Sequence, residues 1–412
     1  MISRLKHLPK PAQKSAKKRL LQTPIRQWCF FASLTMALLS GCQEQPKTSP
    51  TISPIATTTA TIKDPQGILE RVKARGKLIC GVNGKLAGFS YVDQKGDWSG
   101  LDVDYCKAIA AAVLGDAKAV EFKPLLAKDR FTSVQNGDVD ILMRNTTRTL
   151  TRDVIPNISF APTIFFDGQG LMVSIGASPA LPKSPASATP SPTPTATPEA
   201  KSDKQTPRTN EELAIALKDL TGKKICVETG INASNLESAF QEANIDITTI
   251  VLPDLDSVLK AYSKGDCEVI SSEKSQLAAW RSKLPRPVDH KILDVSFSKE
   301  PLSPAIVGND DHWRDVVTWV IYATFYAEEL GINMNNYTTF KDTKNPQISK
   351  FLGTSESLGI EIGLAPDWTT QILKQVGSYS DIYNRNLATL EIPRGLNRTW
   401  KQGGLLYSMP FR

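Results

Sequence analysis

Residues 140–153, Asp-Ile-Leu-Met-Arg-Asn-Thr-Thr-Arg-Thr-Leu-Thr-Arg-Asp, run a short apolar stretch straight into a cluster of amides, hydroxyls and guanidiniums. The pattern reads as a strand that ends in a binding loop. An arginine guanidinium is planar, permanently charged and matches a carboxylate with two parallel hydrogen bonds, so the loop suits a small carboxylate ligand. Asn145, Thr146, Thr147, Thr149 and Thr151 offer the remaining polar partners. A competing reading puts Arg144, Arg148 and Arg152 on one solvated stripe of a helix, since residues four apart share a helix face. Thr and Asn are poor helix formers and favour strands, caps and loops, so the strand end with its loop is preferred.

Upstream of this stretch, residues 68–75 read as a helix, 77–82 as a strand, 103–113 as an Ala-rich helix with Asp102 near its start, 120–124 as a strand, 130–136 as a helix and 139–143 as a strand. Strands alternating with helices imply parallel βαβ units, in which ligands sit at the C-terminal ends of the strands. The clamp falls at such an end. Downstream, 165–173 is extended and leaves this lobe. Residues 176–208 are dense in Pro, Ser, Thr and Ala without apolar periodicity, the composition of a disordered insertion or, alternatively, of a linker between domains.

A second α/β unit follows, with a helix at 210–220, strands at 224–228, 248–252 and 267–271, and a helix at 255–264. The turn from Thr229 through Gly230, Ile231 and Asn232 opens another helix and presents backbone N–H groups. Its glycine count is too low for a dinucleotide fingerprint. Glu273 ends the strand at 267–271 and is the candidate partner for a ligand ammonium; the alternative is a carboxylate capping the helix at 275–284. Residues 300–308 cross back. The amphipathic helix at 313–330 is too charged at its flanks to span a membrane, and short helices at 346–351, 366–376 and 378–386 precede a Gly-rich tail, 401–412.

The net charge of +7 over 412 residues invites a nucleic-acid reading. Residues 1–42 hold eight of the basic residues and no acid, so removing them takes the charge from +7 to −1. The remainder offers no global attraction to phosphate backbones, and no nucleic-acid partner is expected. The same segment has a basic start, an uncharged run at 28–39 too short to cross a bilayer, and Leu39-Ser40-Gly41-Cys42. Residues 1–41 are therefore expected to be an export signal. Leu-Ser-Gly-Cys resembles the bacterial lipobox, which implies acylation of Cys42 and a lipid anchor at the cell membrane. Residues 42–64, rich in Thr, Ser and Pro, read as a flexible tether.

Seven separated stretches carry a wider resemblance: VKARGKLICGV at 72–82, WSGLDVDYC at 98–106, FDGQG at 166–170, SKEPL at 298–302, AEELG at 327–331, VGSY at 376–379 and RGLN at 394–397. With them the chain from about 68 to 412 resembles the general L-amino-acid-binding proteins of polar amino-acid ABC uptake systems. The resemblance implies a two-lobed α/β periplasmic binding protein of type II, hinged on two crossing segments. Lobe 1 would comprise 65–165 and 307–412, and lobe 2 would comprise 166–306. It also implies that the protein captures an L-amino acid in the periplasm and delivers it to an inner-membrane permease and ATPase, working as a monomer without cofactor or metal. Arg152 falls at the family's carboxylate-binding arginine, and Asn145 and Thr147 at its amide and hydroxyl contacts. Phe89, Arg144, Asn232 and Glu273 complete the expected ligand-binding set. The chain departs from the family at Glu273, where an aspartate is usual, and at Ile231 and Asn232, where Thr or Ser is usual.

An exported protein with four cysteines in its folded body, Cys80, Cys106, Cys226 and Cys267, points to disulfides, although four reduced and buried cysteines would also satisfy the count. A bridge between the lobes would lock a hinge, so the expected pairs are Cys80–Cys106 and Cys226–Cys267. The rival class is an enzyme on the same frame, such as a cyclohexadienyl dehydratase-like lyase. Little supports it: His290 and His312 lack partners at metal-ligand spacing, and no nucleophile-elbow motif occurs.

Overall fold

The computed structural model describes residues 67–175, 217–356 and 358–412, all within one compact unit, Lys63–Arg412. The expected signal at 1–41, Cys42, the tether at 42–64, the insertion at 176–208 and most of the helix at 210–220 lie outside the described residues.

The first lobe opens with the helix Gly67–Arg75 and β1 (Leu78–Val82). A small ribbon of β2 (Lys85–Leu86), β3 (Ser90–Val92) and β4 (Trp98–Ser99) follows, then the helix Leu101–Leu114, β5 (Val120–Pro124), β6 (Ile141–Leu142) and β7 (Ile158–Phe160). The chain crosses over in β8 (Phe165–Asp167). It builds the second lobe from β9 (Gln169–Ser174), β10 (Lys224–Glu228), β11 (Thr248–Leu252), β12 (Val269–Glu273) and β13 (His290–Ile292). β14 (Glu300–Leu302) crosses back, and β15 (Ala305–Val307) completes the first sheet.

The sheets have the orders β5-β1-β6-β15-β7 and β11-β10-β12-β9-β13. In each, the strand in fourth place is the one that has just arrived from the other lobe, and it pairs antiparallel with its neighbours. Two lobes on one ground plan, each completed by a strand from its partner's exit, form the expected type II fold. The two crossing strands pair antiparallel with each other, Glu300 opposite Asp167 and Leu302 opposite Phe165. Gly168 lies between β8 and β9, where a Cβ would meet Ser296 Oγ at 2.9 Å and Ser298 O at 3.0 Å.

Short elements escaped the sequence reading. β2, β3, β4, β7 and β13 are two or three residues long, too short to show a period. β6 shrinks to two residues, and β12 is shifted from 267–271 to Val269–Glu273, as its parallel register with β10 requires. The crossing back reaches the first sheet at Ala305.

Lobe 1 holds one large core in which the sheet residues Leu78, Cys80 and Ile141 meet Tyr105, Ile109, Trp313, Val317 and Tyr379 from its helices, and a small second one of Val134, Val139, Leu142, Ile158, Phe160 and Ala305. Lobe 2 has two smaller cores of similar size, because in both lobes successive strand residues face opposite sides of a sheet buried on both faces. Leu171, Ile225, Val227 and Val269 pack with Leu236 and Phe240 on one side. Met172, Cys226 and Ile270 pack with Val258, Tyr262 and Leu277 on the other. The disulfides are Cys80–Cys106 and Cys226–Cys267, each inside one lobe. Among the described residues, no helix is long and apolar enough to cross a membrane.

Candidate ligand-binding site

The clamp stretch is fixed at its start by buried charge. Asp140 is 1% exposed; its carboxylate accepts the Ile79 N–H at 2.7 Å and ion-pairs with Arg75, and its carbonyl accepts the Trp313 indole N–H at 2.9 Å. After β6 the chain turns at Asn145, whose φ of 34° lies in the left-handed region that asparagine tolerates better than most residues. The buried carboxylate of Asp102 holds this turn by accepting the Asn145 N–H at 3.0 Å, while Asn83 donates to Asn145 Oδ1 at 3.5 Å. Residues 146–148 then zip onto the second crossing: Arg148 N–H donates to Pro301 O at 2.9 Å, and Ser303 N–H donates to Thr146 O at 2.9 Å. Thr147, 7% exposed, bridges to Leu302.

Arg152 lies on a single helical turn, Leu150–Asp153, capped by Thr149, which accepts the Arg152 N–H at 3.3 Å. The sequence reading placed it in a loop; an extended threonine ahead of four residues was enough to nucleate a turn. The continuous basic stripe does not form, since Ile141–Leu142 is a strand and Arg148 points away to pair with Asp153 at 2.9 Å. Arg152 Nη1 donates to Thr147 O at 2.7 Å, and Arg144 Nε donates to Leu125 O at 2.9 Å. Both are half-buried, and desolvation pushes both guanidinium pKa values down.

Glu273 ends β12 and precedes the helix Lys274–Arg281 without capping it. Asp167 takes that position, accepting from the hydroxyl and the backbone N–H of Ser275. The Glu273 carboxylate instead accepts from Ser272 Oγ at 2.9 Å and Asn232 Nδ2 at 3.5 Å. Burial pushes its pKa up, with Glu300 adding to the rise. Asn232 is 6% exposed, and its Oδ1 is buried with no partner. Its position is set by the fully buried Gln169, which donates to Asn232 O at 2.7 Å and to Ser271 Oγ at 3.0 Å.

Four groups were missed in the sequence. Glu228 ends β10 as Glu273 ends β12, so the strand-end rule would have found it. Arg130 begins the helix Arg130–Gln135, and its Nε is buried with no partner. Asp167 and Glu300 face each other across the crossing strands. Burial pushes Glu228, Asp102 and Asp167 each up to about 7. Desolvation, reinforced by Arg152 and Arg144, pushes Arg130 down to about 9, against the pull of Glu273 and Glu228. Arg152 is acted on by Glu300 and Glu273, and Arg144 by Asp102 and Glu228. The strand ends of the lobes thus bring guanidiniums from one side within electrostatic range of carboxylates from the other. Phe89 sits apart from these polar groups. It is fully buried in the lobe 1 core, its ring edge-to-face with Phe165 at 5.3 Å.

Residues 78–273 match the bacterial extracellular solute-binding proteins, family 3. The chain is 39% identical over 350 residues to the general L-amino acid-binding periplasmic protein AapJ of Rhizobium johnstonii, covering 84% of this chain and 92% of that one. It is 36% identical over 351 residues to the glutamate/glutamine/aspartate/asparagine-binding protein BztA of Rhodobacter capsulatus, covering 84% and 93%. Among solved structures it resembles an ABC transporter periplasmic binding protein from Brucella ovis with glutathione bound, at 36% identity and a TM-score of 0.70, covering 84% of this chain and 99% of that one. With two lobes joined by paired crossing strands and relatives matched over nearly their whole length, the chain belongs to the bacterial extracellular solute-binding proteins, family 3.

Proposed function

We propose that this protein is the substrate-binding component of an ABC importer and captures a free L-amino acid between its lobes. The observation that carries the reading is the opposition of charge: Arg152 on lobe 1 lies within electrostatic range of Glu273 on lobe 2. A zwitterion needs one cationic and one anionic partner. Arg152 takes the α-carboxylate in two parallel hydrogen bonds, helped by Thr147 and Asn145, and Glu273 takes the ammonium, beside the unpartnered Oδ1 of Asn232. Only a closed arrangement of the lobes pairs both ends of the ligand. That difference in affinity between states is what a ligand needs to shift a hinge. Phe89 supports the first jaw from within its core.

Amino-acid ABC import is the role of the family and places the permease and its ATPase as the partners. Acylation at Cys42 would hold the protein at the membrane and the tether would give it reach; one copy carries a complete site. The relatives are transport binding proteins, which points to a binding protein rather than an enzyme.

Titration calorimetry of the wild type and of Arg152→Ala with a panel of L-amino acids tests the clamp. Binding is expected in the wild type and should be undetectable in the variant, with thermal unfolding nearly unchanged; retained affinity refutes it. Turnover of prephenate-like acids by the wild type would establish the lyase instead.

A further inference from the structure

One buried side chain stands between the crossing segments and the anionic half of the site. Gln169 opens β9 directly after the crossing strand β8 and is fully buried. Its glycine neighbours leave the chain no slack there: a Cβ at Gly168 would meet Ser298 O at 3.0 Å, and one at Gly170 would meet Val295 O at 3.0 Å. The main chain of Gln169 is bonded to the segment that leads into the second crossing. Its N–H donates to Ser298 Oγ at 3.0 Å, and its carbonyl accepts the Phe297 N–H at 3.0 Å. Ser298 Oγ in turn donates to the Glu300 carboxylate on β14 at 2.7 Å.

The side-chain amide of the same residue is bonded to the turn that carries Asn232. Its Nε2 spends both N–H groups, on Asn232 O at 2.7 Å and on Ser271 Oγ at 3.0 Å, while its Oε1 accepts from Asn235 Nδ2 at 3.1 Å. In the ladder between β9 and β12, Gln169 lies opposite Glu273. One amide therefore ties β12 and the first turn of the helix Ile231–Glu242 to the crossing. Buried polar groups that lose their partners are costly, so the turn at 230–235 cannot shift against the crossing without breaking several such bonds together. The hold falls on the main chain of Asn232. Its side-chain amide remains free to serve Glu273 or a ligand, which keeps a buried Oδ1 with no partner beside the clamp.

We infer that Gln169 is a positioning residue that couples the hinge to the ligand clamp. A rotation of lobe 2 about the crossings carries the turn at 230–235 with it as one body, and ligand contact at Asn232 and Glu273 is passed back to Ser298 and the second crossing through the same bonds. This rests on the amino-acid reading of the site and adds to it the route by which binding drives closure. A buried glutamine that only packed lobe 2 together would stabilise the fold without making amino-acid affinity depend jointly on Asn232 and Ser298. That dependence separates coupling from packing, and paired substitutions measure it.

The test is titration calorimetry on the full chain with the standard L-amino acids, for the wild type, Gln169→Met, Asn232→Ala, the double variant and Ser298→Ala. Gln169→Met keeps the volume and loses the hydrogen-bonding groups, and it should weaken binding of whichever amino acid the wild type binds most tightly by about tenfold. Asn232→Ala should cost about tenfold in the wild type and less than about threefold in Gln169→Met, because a residue that acts through Asn232 then has nothing left to act on. Ser298→Ala touches no group of the clamp and should still lower affinity about threefold, by releasing the Gln169 N–H from the second crossing. Small-angle scattering at saturating amino acid should show the wild type contracting and Gln169→Met contracting less. Unchanged affinity in Gln169→Met or Ser298→Ala, additive losses in the double variant, or equal contraction overturns the inference and leaves the amino-acid reading standing. Failure of every amino acid to bind the wild type overturns both. If Gln169→Met does not melt cooperatively, Ser298→Ala decides alone: lowered affinity supports the coupling, and wild-type affinity removes it.

Discussion

The two lobes share a strand order and differ in how they hold charge. Lobe 1 packs one large core and one small one on the two faces of its sheet and fixes its cations through main-chain carbonyls, Leu125 O for Arg144 and Thr147 O for Arg152. Lobe 2 has only two small cores, one on each face, and positions its acids through side chains: Ser272 and Asn232 on Glu273, with Gln169 behind them. A backbone carbonyl moves only if the loop moves, whereas a side-chain amide can change rotamer. Lobe 1 is thus the rigid jaw, and lobe 2 the jaw in which a change of ligand is most readily accommodated.

Cutting one disulfide at a time should break this comparison most sharply. The 41-residue loop closed by Cys226–Cys267 contributes about 4 kcal/mol on the chain-entropy account, and the 26-residue loop of Cys80–Cys106 about 3.5 kcal/mol. Similar losses fall on unequal cores. In Cys226→Ala/Cys267→Ala, hydrogen exchange at β10 and β12 is expected to become fast while β1 and β5 stay protected, because the small cores of lobe 2 have less to spare than the large one of lobe 1. Cys80→Ala/Cys106→Ala should leave lobe 1 with the more nearly native protection of the two. Simultaneous loss of protection in both lobes would mean that they unfold as one unit and that the division drawn here has no energetic content.

The pH dependence should sharpen the comparison at an intermediate scale. Asp102 in lobe 1 and Glu228 in lobe 2 both have folded pKa values of about 7, above the ordinary carboxylate range. The folded state therefore binds more protons than the unfolded one between about pH 4 and 7, and stability falls as pH rises through that window. Asp102 is 1% exposed and Glu228 only partly covered, so Asp102 should outweigh Glu228, contributing on the order of 2 kcal/mol across the window. Urea midpoints from pH 4 to 8 should slope less in Asp102→Asn, whose amide oxygen still accepts the Asn145 N–H, and only slightly less in Glu228→Gln. A larger change in Glu228→Gln would reverse the ranking.

Both lobes were legible in the sequence where a strand runs five residues into a helix. The strands at 120–124, 224–228 and 248–252 and the helix at 255–264 stand where the pattern put them. The ribbon at 85–99 was not legible, because its strands are shorter than any period that could announce them. The site divides in the same way. Glu273 and Arg152 stand out in the sequence because a strand end and a basic loop mark themselves. Arg130 does not, because an arginine at the start of a short helix has an unremarkable neighbourhood in sequence, and its unpartnered Nε exists only once β6 and the helix Arg130–Gln135 are packed. Asp167 looked like part of an extended crossing. Its work on Ser275, 108 residues away, is a product of the fold.

The smallest effect concerns the direct links between the lobes. Arg281, on the lobe 2 helix, pairs with Glu391 of lobe 1 at 2.6 Å, and the Lys283 ammonium lies 5.0 Å from the Tyr91 ring centre while donating to Lys85 O. Glu391 is 79% exposed, so water screens the pair, and exposed ion pairs contribute about 0–1 kcal/mol. Glu391 also has a φ of 55°, where a side chain is strained. Glu391→Ala removes the pair and keeps the strain; Glu391→Gly removes both. The alanine variant should therefore melt within about 2 °C of the wild type, by an amount that shrinks in high salt, and the glycine variant slightly above the alanine one. If Glu391→Ala instead changed amino-acid affinity tenfold, this exposed pair would be governing lobe closure, and the assignment of that control to the buried charges at the strand ends would have to be given up.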